Sequence, residues 1–141
     1  MWNRWIRRKQ SAVPVLRKGL QQLEYRGYDS AGIAVMSDDE IRVEKVSGRI
    51  ARFCEKTENG AAVPGNIGIG HTRWATHGAP TDINAHPHLS NDGPFAIVRN
   101  GIIENFLALR EKLLADGYVF QSETDTETIV HLLEKHYTLI P

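Results

Sequence analysis

The sequence predicts an α+β fold, and three observations carry that expectation. Strand-like runs come in pairs, Gly32–Val35 with Ile41–Val46 and Ile67–Gly70 with Phe95–Val98, and helix-period segments stand around them. The strict alternation of strand and helix that marks a doubly wound parallel sheet is not followed. The length, 141 residues, and a content of 41% hydrophobic and 24% charged side chains fit one soluble globular domain with a modest core.

Taken in order, Pro14 sits where the first turn of a helix tolerates it, and Val13, Leu16, Leu20 and Leu23 recur at helical spacing. A helix is therefore expected from Val13 to near Gly27. The β-branched runs on either side of Ser37-Asp-Asp-Glu40 predict two strands and their connection. Gly48–Lys56 reads as a short helix burying Ile50, Phe53 and Cys54. Ile67–Gly70 and Phe95–Val98 read as buried strands, separated by a polar stretch and an Asn91-Asp-Gly-Pro94 turn. Asn105–Leu114 predicts a helix with Leu107 and Leu114 on one side, stopped by Gly117, and Tyr118–Phe120 a further strand. Thr124-x-x-Glu127 has the form of a capping box ahead of Ile129, Val130, Leu132 and Leu133. The pattern then runs into Tyr137-Thr-Leu-Ile-Pro141 without a closing element, so an incomplete domain is expected.

Composition excludes several classes of function. Lys plus Arg and Asp plus Glu balance at 17 each, which gives no electrostatic case for nucleic acid or an anionic membrane. A single cysteine excludes an internal disulfide framework and fits a reducing compartment. No apolar run approaches membrane-spanning length, and none follows the N-terminus in the manner of a signal peptide, so a cytoplasmic location is expected. Residues 1–10 hold two of the three tryptophans, four basic side chains and no acid, the composition of a disordered, solvated tail.

The stretch His71–His88 breaks hydrophobic periodicity and is rich in binding groups, as functional loops are. Arg73 offers a planar, permanently charged fork suited to a carboxylate. Trp74 beside it could close over a ligand, and Thr72 and Thr76 offer hydroxyls. His71, His77, His86 and His88 invite a metal reading, yet their spacing matches no zinc signature, so no metal and no cofactor is expected. Asn100-Gly101 follows a strand; as a side-chain amide and a backbone N–H it is either a hairpin turn or an oxyanion hole. Asp125 is either a helix-start carboxylate or an acceptor for an ammonium group.

These motifs come in a particular order. Glu24-Tyr-Arg-Gly-Tyr-Asp-Ser-Ala-Gly32, Gly68-Ile-Gly-His-Thr-Arg-Trp-Ala-Thr-His-Gly78, Asn84-Ala-His-Pro-His88, Asn100-Gly-Ile-Ile-Glu-Asn105 and Ser122-Glu-Thr-Asp-Thr-Glu127 closely resemble the glutaminase domains of the glutamine–fructose-6-phosphate aminotransferase family. The resemblance runs from about Val13 to the end. It implies an N-terminal-nucleophile fold of the class II glutamine amidotransferase type, an αββα sandwich with two antiparallel sheets between helical layers, here incomplete. Residues 1–12 would be an aberrant N-terminal segment and residues 13–141 a partial glutaminase domain.

The resemblance also implies a chemistry. An N-terminal cysteine attacks the side-chain amide of glutamine with its own α-amine as base, suitable because such amines titrate near ~7.7–8.0. A thioester forms, ammonia passes to fructose 6-phosphate in separate isomerase domains to make glucosamine 6-phosphate, and water releases glutamate. Carried onto this chain, Arg73 holds the glutamine α-carboxylate and Asp125 its α-ammonium, while Asn100 and Gly101 stabilise the oxyanion. Trp74, Thr76, His77 and His86 shape or gate the pocket, and Arg26 supports the cysteine end. The family resemblance implies a homo-oligomeric parent enzyme, with neither nucleic acid nor membrane as partner.

The sequence departs from the family at its start. The family begins Met-Cys-Gly-Ile-Val-Gly-Tyr, whereas this chain has Trp2 at the place of the cysteine and Asn3, Arg4 and Arg7 in the strand that follows. Inserting one base after the fifth nucleotide of a suitable coding sequence for Met-Trp-Asn-Arg-Trp-Ile gives Met-Cys-Gly-Ile-Val-Gly. A shifted reading frame, restored by a second shift before Val13, is therefore one account of the departure, and the nucleotide sequence decides it. Cys54, inside the chain, has an amide for its backbone nitrogen and is no substitute. Arg99 stands where the family has histidine. The expectation is a chain without glutaminase turnover; the alternatives are a non-catalytic glutamine-binding or interaction module, or the unfolded product of a frameshifted gene.

Overall fold

The computed structural model describes residues 2–7, 11–27, 29–75 and 78–137. Among them ten elements follow in order: β1 (Trp2–Arg7), α1 (Val13–Leu23), β2 (Ser30–Ser37), β3 (Glu40–Ser47), α2 (Ile50–Lys56), β4 (Ile67–Arg73), β5 (His88–Leu89), β6 (Ala96–Ile97), α3 (Phe106–Ala115) and α4 (Asp125–Tyr137). One four-stranded sheet runs β1–β4–β2–β3 and a small one pairs β5 with β6; each of these pairings is antiparallel. The α+β expectation holds.

Strand alternation sorts the large sheet into two faces. Ala31, Ile33 and Val35 of β2 join Val13, Leu16 and Leu20 of α1 and Ile50 and Phe53 of α2 in one buried apolar cluster. On β4 the glycines take this side. A Cβ at position 68 would stand 2.9 Å from Leu16 Cδ1, and one at position 70 would stand 3.3 Å from Leu20 Cδ1. The bare backbone therefore lets α1 settle onto the strand. The intervening residues, Ile69, His71 and Arg73, belong to the opposite face.

Burying the apolar stripe of α1, about 2 kcal/mol for each of its large aliphatic side chains, holds helix to sheet. The helix ends earlier than expected. Leu23 is only half-buried and a single tighter turn, Glu24–Arg26, carries the chain to Gly27. The β2–β3 connection is a two-residue hairpin with both Asp38 (φ 51°) and Asp39 (φ 63°) in the left-handed region, as a twist-matched turn demands.

Several expectations are corrected. Residues 2–7 are no disordered tail: they form an edge strand paired residue for residue with β4, from Trp2 opposite Thr72 to Arg7 opposite Ile67. Its Asn3, Arg4 and Arg7 are exposed, so the charges meet water and a paired backbone suffices. Phe95–Val98 contributes only two strand residues, and these are half-buried. Tyr118–Phe120 is irregular rather than a strand. On α3, Leu107 and Leu114 face solvent and Leu113 is the buried leucine. Only a narrow stripe is needed because α3 packs chiefly against α4.

Helix α4 reverses the usual arrangement. Its buried face consists of Asp125, Thr126, Glu127, Thr128, Val130, His131 and Glu134, while Leu133 is exposed. The Thr124–Glu127 box is rewired as well. Glu127 accepts the N–H groups of Gln121 and Ser122, each at 2.7 Å, and the Thr124 N–H donates to the Ser122 hydroxyl at 3.3 Å. Glu134 accepts the N–H groups of Asn91 and Asp92 at 3.1 and 2.9 Å, closing the 91–94 turn. A buried face of acceptors is stable only when donors reach it, and here loop backbone supplies them.

Candidate functional site

The site lies at the end of β4, on the face away from α1. Arg73 is the last residue of that strand and 3% exposed. Its guanidinium donates to the carbonyls of Ala79 (3.3 Å) and Gly78 (3.4 Å), holding the following loop. Burial draws its basicity down while Asp29 and Asp125 push it back up; it stays charged. Asp29 accepts the Ala75 N–H at 2.7 Å and donates its own N–H to the Arg73 carbonyl at 3.1 Å, fixing the strand end.

Asp125, at the start of α4 and 6% exposed, is the second buried charge. Its Oδ2 accepts the Ile103 N–H at 2.7 Å and an Arg99 Nη1–H at 3.0 Å. Arg99 Nη1 also donates to the Gly101 carbonyl at 3.1 Å. Asn100 and Gly101 are exposed between these groups, and Gly101 (φ 123°) has a conformation that favours glycine. The Asn100 Oδ1 sits 3.0 Å from His71 Nε2. A ring nitrogen that donates there fixes the carboxamide, and its NH2 then points away from the ring. Among the described residues no strand follows Asn100-Gly101 before α3, so the pair is no hairpin turn.

Behind them three imidazoles pack together, His71 tilted against His86 and His88 edge-on to it. His86 lies between His71 (ring centroids 4.5 Å apart) and His88 (4.7 Å). All three are nearly fully buried. Burial pushes His71 down to about 4 and depresses His86 and His88 as well, the neighbouring cations Arg73 and Lys45 adding to the effect on both. The cluster is neutral at physiological pH. His88 Nε2 is 2.9 Å from the Thr124 hydroxyl. Among the described residues no group of three or more His, Cys, Asp or Glu is placed to hold a metal ion.

The sequence-derived residues divide as follows. Arg73, Asp125, Asn100, Gly101 and His86 come together on this face. Trp74 adjoins Arg73 and is half exposed. Arg26 is exposed on the turn before Gly27, with its Nε–H donating to the Tyr25 hydroxyl at 2.8 Å. Gly27 itself packs on the backbone of Arg73. Thr76 and His77 lie outside the described residues. Trp2 enters through its backbone, opposite Thr72, so position 2 stands beside the end of β4.

Sequence reasoning misses three supporting residues. Asn84 accepts the Glu123 N–H at 2.9 Å and donates to the Ala79 carbonyl at 3.1 Å and to Glu123 Oε2 at 3.0 Å, tying the 78–84 loop to the start of α4. His71 and His88 stand out in the sequence only as metal ligands. The signal for Asn84 is its place between two loop prolines; for the histidines it is their strand or strand-edge position. Burial alone would raise the Glu127 carboxyl, yet the donors around it, the Ser122 hydroxyl and the two N–H groups among them, hold it below the usual range.

A family model described as "Glutamine amidotransferase domain" matches residues 36–138. The glutamine–fructose-6-phosphate aminotransferase (isomerizing) of Clostridium tetani is 54% identical over 129 residues, covering 92% of this chain and 21% of that protein. A same-named protein of Thermus thermophilus is 55% identical over 127 residues, covering 90% and 21%. The chain therefore spans about a fifth of the length of the curated relatives it matches. Among solved structures, the glutamine phosphoribosylpyrophosphate amidotransferase of B. subtilis, complexed with ADP and GMP, superposes with a TM-score of 0.77 at 30% identity, covering 93% of this chain and 28% of that one. A structure titled as the allosteric regulatory enzyme of purine biosynthesis gives 0.79 at 31% identity, covering 93% and 29%. No helix among the described residues is long and apolar enough to cross a membrane.

Proposed function

The chain belongs to the glutamine amidotransferase domain family, and from that premise we propose that it is a glutamine-binding unit of the glutaminase type found in glutamine–fructose-6-phosphate aminotransferases. In the complete enzyme such a unit hydrolyses glutamine to glutamate. Its ammonia then goes to fructose 6-phosphate, yielding glucosamine 6-phosphate in isomerase domains of a homo-oligomer. Arg73 receives the glutamine α-carboxylate as a two-pronged donor and Asp125 receives the α-ammonium. Asn100 and Gly101 face the side-chain carbonyl, where charge builds as a nucleophile adds. By the resemblance, Trp74, Thr76, His77 and His86 shape or gate the pocket, and Arg26 supports the nucleophile end at position 2.

The observation that carries this reading is a convergence. A buried cation from a strand, a buried anion from a helix and an exposed amide–glycine pair from a loop meet beside position 2. A free amino acid amide offers the complementary set: carboxylate, ammonium and carboxamide. Trp2 has no nucleophilic atom, and Cys54 sits on α2 packed against the apolar core with its nitrogen in an amide bond. The chain as it stands accordingly binds without turning over.

The test measures glutamate release from glutamine by this chain beside a version starting Met-Cys-Gly-Ile-Val-Gly-Tyr, together with glutamine binding by both. Binding by both and turnover only in the second is expected. Arg73→Lys should weaken binding about tenfold, the loss of a bidentate contact. Turnover by the chain as written would overturn the assignment of the missing nucleophile. Absence of glutamine binding from both forms would remove the reading itself.

A further inference from the structure

We propose that Arg99 is a built-in occupant of the ammonium position of this site, so that the chain as it stands prefers ligands carrying the carboxylate and carboxamide of glutamine without its α-ammonium. The inference rests on the reading of Asp125 given above. Asp125 is buried, and its Oδ2 already serves the Ile103 N–H and the Arg99 guanidinium, while Thr126 Oγ1 lies 3.4 Å from Oδ1. Among the described residues its Oδ1 carries only the long Thr126 contact, so what opposes an incoming cation is the guanidinium already paired with Oδ2 rather than a lack of acceptor sites.

Arg99 is also held at its other side. Its Nη1 donates to the Gly101 carbonyl, and its Nη2 lies where it would stand 3.3 Å from a Cβ at position 101. The guanidinium therefore fills the face that glycine leaves open and spans from the oxyanion pair to the ammonium acceptor. Its side chain is 24% exposed against 8% for Asp125, so the ion pair is largely shielded from water and salt. An arriving ammonium must either displace this cation or lie against a like charge. Arg73 stays engaged with the carbonyls of residues 78 and 79 and is not part of this plug, which leaves the carboxylate end of the site unaltered.

The experiment is calorimetric titration of the chain with L-glutamine and, separately, with 4-carbamoylbutanoate, which has the same carboxylate and amide but no amine. The chain itself should bind the deaminated analogue more tightly than glutamine. In Arg99→Gln and Arg99→Ala, glutamine affinity should rise about tenfold, the effect of removing a competing internal ligand. Affinity for the analogue should change by less than about twofold. The comparison in the unaltered chain needs no variant and survives if one of them misfolds. Equal affinity of the unaltered chain for the two ligands, a preference for glutamine, or variants that leave the ratio of the two affinities unchanged would overturn the role of Arg99 alone. Failure of the folded chain and its variants to bind either ligand would overturn the glutamine-site reading and this inference with it.

Discussion

Below about pH 6.5 an unfolded chain begins to protonate its histidines, whereas His71 in the folded chain stays neutral down to about 4. The folded state binds fewer protons in that window, so its stability is intact above pH 6.5 and falls as the pH drops towards 4. For a group 1% exposed the loss from His71 is about 3 kcal/mol, and His88 shifts in the same direction. Glu127, held below its usual range, adds a loss at still lower pH. Denaturant midpoints at pH 7 and pH 4.5 should therefore differ markedly; equal midpoints would show that the cluster is not buried as described. The residue scale is only half legible in sequence. Arg73, Asp125 and Asn100 each keep a plain structural alternative when read singly, and only their order along the chain, shared with the family motifs, singles them out. The histidine cluster cannot be picked out, because His71 meets His86 through the crossing of β4 with a loop, a juxtaposition no local spacing records.

At the scale of elements, the middle of β2 touches the 84–88 loop without an intervening side chain. A Cβ on Gly32 would collide with the His86 carbonyl and stand 3.1 Å from that of Glu44. Gly32→Ala should cost about 1–3 kcal/mol, the usual penalty of overpacking, read as a lower urea midpoint with unchanged slope. The opposite sign is expected at the hairpin tip. Asp39→Gly relieves a left-handed aspartate and should stabilise by about 0.5–1 kcal/mol in the same measurement. The paired strands β2 and β3 are plain in the sequence because β-branched residues lie on both sides of a short polar turn. Helices α3 and α4 are placed correctly along the chain by that reading, but the leucines singled out on α3 lie outward and the polar inner face of α4 is not foreseen. Leucine periodicity assigns a helix its inner side only when the neighbouring surface is apolar, and α4 faces loop backbone that wants acceptors.

For the whole molecule, the fold class follows from the β2–β3 pair and the lack of strict alternation. Strand β4, by contrast, pairs with β2 and with the unforeseen edge strand β1 rather than with the Phe95–Val98 run. Trp-Asn-Arg-Trp-Ile-Arg shows no apolar alternation, but an edge strand needs only a ladder on one side and tolerates charge. Asn84 is a polar tie between the loop after β4 and the start of α4, bonded at both ends of its amide. Asn84→Ala should cost about 1–3 kcal/mol through its unsatisfied partners. It should also loosen glutamine binding, because the loop it anchors carries the carbonyls that hold Arg73. Thermal melts with and without ligand would check both effects; unchanged values would show that Glu123 finds other partners.

The buried polar face of α4 has a calorimetric consequence. Unfolding this chain wets hydroxyls, imidazoles and carboxylates alongside its aliphatic cluster, and polar hydration lowers the heat capacity that apolar hydration raises. The increment per residue should thus fall below the ~12–15 cal/mol/K of ordinary domains. Its stability curve would then be flatter, losing little on cooling and yielding slowly on warming.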